Sequence, residues 1–193
     1  MNSENPGTDA PVPSAAPLML VSMPQMNDPN FAKTVVLLCD YTSDGAFGLV
    51  VNRQMTDPAW TLVKPETPVH VDPTVHLWIG GPVDQQRTWV LMSEPQGPEE
   101  DQREICPGVL LSASQSLTLQ LLQAPPTNKV RVIAGYAGWG AGQLERELTE
   151  SGWLTMPVDA QLIFGVPSDE MWETALSRIG AAPSSFQQSS GVH

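Results

Sequence analysis

The side chains best placed for chemistry stand beside glycines. Asn52 and Arg53 follow the run Gly48-Leu49-Val50-Val51. Gly80-Gly81-Pro82 closes the apolar stretch 75–79, and Gly138-Trp139-Gly140-Ala141-Gly142-Gln143 follows the stretch 130–135. Each group ends a predicted strand, and binding groups collect on loops carried by a rigid scaffold. If these ends meet, Arg53 supplies a rigid cationic fork, Gln143 an adaptable donor and acceptor, and Trp139 a wall. The candidate ligand site is therefore Asn52, Arg53, Gly80, Gly81, Trp139 and Gln143. Two competing arrangements stay open: Glu145 and Glu147 neutralise Arg53, and Trp139 is a lid over the core.

Other chemistries fit less well. The 137–143 segment lies between a predicted strand and a predicted helix, as a phosphate-cradling loop would. A dinucleotide fingerprint, however, needs G-x-G-x-x-G, and here Gln143 takes the third glycine's place. Glu145 and Glu147 in the first helical turn suit the helix dipole but repel a phosphate. His70, His76 and His193 have no Cys or His partner at zinc spacing, so no metal site and no cofactor is expected. No G-x-S-x-G, S-x-x-K or H-E-x-x-H occurs. Cys39 ends an apolar strand before Asp40; burial and a carboxylate both raise a thiol pKa and make it less reactive. Cys106, beside a charged loop, is the more accessible thiol.

The 193 residues are 41% hydrophobic and 16% charged, enough to bury the core of one domain. Nine basic against 21 acidic side chains give a net charge of −12. That weighs against direct nucleic-acid binding, which draws on Lys and Arg at phosphates, and against a polybasic membrane contact. Residues 10–27 are uncharged but interrupted by four prolines, and the first basic residue is Lys33. No signal or membrane segment is expected, and the expected location is the cytoplasm. Residues 1–17 and 183–193 read as tails, because Pro, Ser, Gln and Asn bury too little to offset ordering. Residues 18–182 form the expected single domain.

Strands are predicted at 18–21, 34–39, 47–51, 75–79, 88–92, 109–112, 130–135 and 162–166. Asp44-Gly45 marks a hairpin, read as a type I′ turn. Helices are predicted at 59–64, 114–123 with Ser114 as cap, 143–151, and from a Ser168 cap to Gly180. Residues 94–104, with five acidic residues, read as a solvated loop. Strands outnumber helices without regular alternation, which fits α+β.

The same residues carry a family resemblance. Met23-Pro24 with Asp28 and Phe31, then Gly45-Ala46-x-Gly48-Leu49-Val50-Val51-Asn52-Arg53, resembles the opening signature of the YqgE/AlgH family. Gly80-Gly81-Pro82-Val83 with Arg87 and Val90-Leu91 resembles its second block. Gly135-Tyr136-Ala137-Gly138-Trp139-x-x-Gly142-Gln143-Leu144-Glu145-x-Glu147 with Trp153 resembles its third, and Trp172, Ala175 and Gly180 its closing helix. The resemblance implies a cytoplasmic α+β protein: a strongly bent, mostly antiparallel sheet closing into a small barrel, with surrounding helices. It supplies no catalytic residues. The family's name implies a part in regulating gene expression. The expectation is a non-enzymatic regulatory or interaction protein with a protein or small-molecule partner. The alternative is an enzyme with a polar loop site around Arg53 and Gln143. Direct DNA-binding control ranks last, because no basic stripe is clustered.

Overall fold

Apolar residues in consecutive positions leave a strand no polar face, so both of its faces must be covered. Strand β1 (Leu18–Ser22) is buried along its whole length, and β2 (Val35–Thr42) over its first five residues. Side chains alternate between faces with period two. Met19, Val21, Val35, Leu37 and Leu49 enter one core; Leu18, Leu20, Val36, Leu38 and Val50 enter another. The computed structural model describes residues 16–59 and 70–181. The expected tails therefore lie outside the described residues, apart from Ala16 and Pro17.

Strands β3 (Gly45–Val50), β4 (Gln54–Pro58), β5 (His76–Ile79), β6 (Val83–Met92), β7 (Gln102–Cys106) and β8 (Val109–Ser112) follow. Helix α1 (Gln115–Leu122) precedes the long strand β9 (Val130–Gly140). Helix α2 (Gln143–Thr149), β10 (Trp153–Met156), α3 (Ala160–Gly165) and α4 (Met171–Ile179) complete the described chain. The sheet order is β10-β1-β2-β3-β9-β6-β8-β7. Strand β9 is long enough to serve two neighbours on one edge: its C-terminal half pairs with β3, and Ile133 and Ala134 pair with β5. The β5–β9 pairing is parallel; the other pairings among the described strands are antiparallel. The fold is α+β, and the sheet curls strongly as a half-barrel with four helices among the described residues. Helices α3 and α4 seal the first core with Leu162, Ile163, Met171, Trp172, Ala175 and Leu176. Helix α2 covers the second with Leu144 and Leu148. The Trp172 indole donates to the Ser22 carbonyl at 2.8 Å, which ties α4 to β1.

The local reading needs several corrections. Residues 162–166 are not a strand. Asp159 accepts a hydrogen bond from the Leu162 amide at 3.0 Å and caps α3, and a short apolar run does not distinguish a buried helix from a strand. The glycine-rich 137–140 segment continues β9 instead of forming a loop, with Ala46 opposite Trp139 and Gly48 opposite Ala137. Close approach explains the glycine of β3 that faces it: a Cβ on Gly45, whose φ is +145°, would lie 2.2 Å from the Trp139 carbonyl oxygen. The hairpin at residues 42–45 forms, but neither Ser43 nor Asp44 takes positive φ, so its turn is not type I′. Helix α4 starts at Met171 without a side-chain cap; Gly180 ends it at φ +80° as expected. Part of the acidic 94–104 segment is β7, paired with β8. The helix predicted at 59–64 lies outside the described residues apart from Ala59.

Candidate functional site

Three of the residues nominated from the sequence, Asn52, Arg53 and Trp139, contact the loop of residues 28–33. Arg53 sits just after the β3 run and donates from Nη1 to the carbonyls of Pro29 (3.1 Å) and Asn30 (2.9 Å). Its Nη2 donates to that of Ala32 (3.3 Å). Asn52 accepts from the Val35 amide at 2.8 Å and donates to the Lys33 carbonyl at 3.0 Å. Together they hold residues 28–33 against β2. Phe31 of that loop packs on Trp139 and Trp153, with ring centroids 6.2 and 5.5 Å away.

Trp139 meets the same loop through Phe31, and Gln143 is linked to Trp139 through Glu147. The indoles of Trp139 and Trp153 both donate to Glu147 Oε2, at 2.9 and 2.8 Å, and Gln143 donates to Glu147 Oε1 at 2.9 Å. One carboxylate thus joins β9, α2 and β10. Tyr41 donates to Glu145 at 2.6 Å, a bond that lowers the Glu145 pKa and raises that of Tyr41. Neither glutamate pairs with Arg53. Trp139 is 5% exposed, so it is core. Gly80 and Gly81 are buried where the β5–β6 turn presses on β9. A Cβ on Gly81, at φ +151°, would lie 2.3 Å from the Tyr136 carbonyl.

Two adjoining clefts open elsewhere. The larger, about 630 Å³, lies between β5 and β9, the 124–128 connection and the α3–α4 connection. Trp78, Phe164, Pro125, Pro126 and Val166 supply apolar walls; Gln54, His76, Arg131, Ser168 and Asp169 supply polar groups. The second, about 470 Å³, is lined by Asn52 and Arg53 and shares Gln54, His76, Ser168 and Asp169 with the first. Gly80, Gly81, Trp139 and Gln143 line neither. His76 donates from Nδ1 to the Met55 carbonyl at 3.1 Å. A third, smaller cleft of about 370 Å³ is flanked by the bidentate Arg103–Asp40 pair, at 2.8 and 2.9 Å. Among the described residues, no three His, Cys, Asp or Glu side chains converge to hold a metal. None of their helices is long and apolar enough to cross a membrane.

Arg131 is the residue that sequence reasoning missed. It lies inside β9, opposite Leu91, and is only 6% exposed. Its guanidinium donates to the carbonyls of Val51 and Ile163 and lies 4.0 Å from the Trp78 ring centroid. Desolvation lowers its pKa to about 10. A signal was present: Arg131 is the single charge in the stretch Val130-Arg131-Val132-Ile133-Ala134. A cation in a run that must be buried demands a reason. Phe164 was missed because its segment was read as a strand.

The similarity to known proteins matches the fold. The profile of the AlgH-like family fits residues 19–184. The chain is 36% identical over 179 residues to a UPF0301 protein of Photobacterium profundum, covering 89% of this chain and 95% of that one. It is 38% identical over 165 residues to a UPF0301 protein of Pseudomonas fluorescens, covering 83% and 86%. The solution structure of the AlgH protein from Pseudomonas aeruginosa superimposes with a TM-score of 0.70 at 32% identity, with both chains covered in full. A crystal structure of a protein from Corynebacterium diphtheriae, 21% identical, shares the fold at a TM-score of 0.66 over 92% and 90% of the two chains. By the extent of the matched profile and the identity to these relatives, the chain belongs to the AlgH-like family.

Proposed function

We propose that this protein is a non-enzymatic regulatory or interaction protein that works by holding a small ligand in the cleft between β5, β9 and α3. The cleft itself carries the reading. At about 630 Å³ it has the size of a ligand site, and its apolar walls meet a few convergent polar groups. The competing enzyme reading centres on Arg53 and Gln143. Their hydrogen bonds to backbone carbonyls and to Glu147 favour a positioning role for both. Any control of gene expression runs through the ligand or a protein partner, because a net charge of −12 repels nucleic acid.

A metabolite panel read by melting temperature tests the proposal. The expected result is a compound that raises the melting temperature and is recovered unchanged. At roughly 100 times its Kd such a ligand adds about 2.7 kcal/mol of stability. Amide shift changes should concentrate at Thr127, Asn128, Val166 and Ser168 on the cleft walls. Consumption of the compound would favour an enzyme, and shifts mapping to another face would retire the cleft.

A further inference from the structure

We propose that the ligand of this cleft carries a carboxylate or phosphate group, and that Arg131 is the residue that receives it. The inference rests on the cleft being a ligand site, as proposed above, and adds the chemistry of what enters. Burying a cation costs free energy unless it is paired, and buried charges are ordinarily matched by an opposite charge or a metal. Arg131 breaks that rule. It is 6% exposed, yet among the described residues no carboxylate forms an ion pair with it. Its protein acceptors are the neutral carbonyls of Val51 and Ile163, and Trp78 covers its ring-like face.

Those two bonds use two of the five N–H donors of a guanidinium and leave three without a protein acceptor among the described residues. Arg131 is also one of the residues that line the 630 Å³ cleft, so a ligand held there meets this residue. The charge persists at neutral pH, because desolvation lowers the pKa only to about 10. Arg131 is thus anchored through two carbonyls and stacked on an indole, while its positive charge is left unmatched. A planar carboxylate or a phosphate ester satisfies a guanidinium through two parallel bonds. Asp169, exposed on the α3–α4 connection, is the cleft's acidic group and disfavours ligands of high negative charge. A single anionic group on a small apolar body fits both features.

The test compares benzoate, phenyl phosphate and neutral benzamide on the full chain, by melting temperature and by nuclear magnetic resonance shifts of the Trp78 indole. Benzoate, phenyl phosphate or both should bind at the cleft about tenfold or more tightly than benzamide, the worth of a hydrogen-bonded charge. The two anions distinguish a carboxylate ligand from a phosphate one. A folded Arg131→Gln variant should lose that preference. Because Arg131→Gln also removes carbonyl bonds and can fail to fold, the comparison of anion with amide on the wild-type chain stands by itself. Equal binding of benzamide and the anions at the cleft would overturn the role of Arg131 and leave the cleft reading intact. Anion binding that a folded Arg131→Gln variant retains would overturn it equally. Failure of all three probes, and of the metabolite panel, to perturb any cleft residue would overturn both readings.

Discussion

Cys39 occupies the point in β2 where the register against β3 shifts, between Leu38 and Asp40. It is 6% exposed and its thiol leans on the Leu37 carbonyl at 3.6 Å. Burial is the main cause that pushes its pKa from 9.0 up to about 12, with nearby Arg103 opposing and Asp40 adding to the rise. Cys106 is half-buried, and desolvation raises its pKa too. Native thiol labelling, mapped by mass spectrometry, should therefore modify Cys106 well before Cys39; preferential labelling of Cys39 would contradict the burial argument. The sign of the pH effect follows from linkage. A raised folded-state pKa means that the folded chain holds its proton more tightly, so this contribution is intact below about pH 9 and is lost as pH rises towards 12. The stability gap between wild type and Cys39→Ala should narrow over that window in urea titrations at stepped pH. The contrast between the two thiols was legible from local sequence, because an apolar strand and a charged loop end differ within a few residues. The role of Arg131 was not, because it depends on Val51, Ile163 and Trp78 from three other segments.

The loop of residues 28–33 is the element that Asn52 and Arg53 hold. Internally it turns on Asp28, whose carboxylate accepts from the Asn30 amide at 2.8 Å. Lys33 closes it with φ at 55°, a left-handed conformation that costs a lysine about 1 kcal/mol or more. External bonds must hold it there, and Asn52 and Arg53 provide four of them. Arg53→Ala should therefore lower stability by about 2 kcal/mol, the usual worth of hydrogen bonds from a charged donor in a half-buried site. Arg53→Lys should recover little, since an ammonium lacks the fork that spans three carbonyls. Urea midpoints and amide exchange in residues 28–33 would show it; unchanged exchange in Arg53→Ala would mean that the loop holds without the clamp. The motif was visible in the sequence as Asn52-Arg53 after a strand. Its partners were not, because backbone carbonyls have no signature in residue type. Helix α3 shows the same limit: Leu162, Ile163 and Phe164 read as strand until Asp159 is seen capping the turn.

At the scale of the whole molecule, charge and curvature set the behaviour. A net charge of −12 predicts no mobility shift with duplex DNA at about physiological salt, where backbone contacts are already weakened. A specific shift surviving competitor DNA would contradict that expectation. The sequence by itself determined the α+β class, the strands buried on both faces, the Ser114 and Gly180 helix boundaries and the family. Each of these is written in a local pattern of period, turn residue or motif. The tertiary structure decided that the glycine-rich segment 137–140 is a strand and that Asn52, Arg53 and Trp139 contact one loop. It also decided that the larger cleft is lined by Arg131 and Trp78 and by none of the nominated residues. The physical reason is curvature. Strand β9 spans eleven residues and pairs with β6 along one edge and with β5 and β3 along the other. Where a curled sheet brings Trp78, Arg131 and Phe164 together depends on register and close backbone approach, which are properties of pairs of segments and not of any one of them.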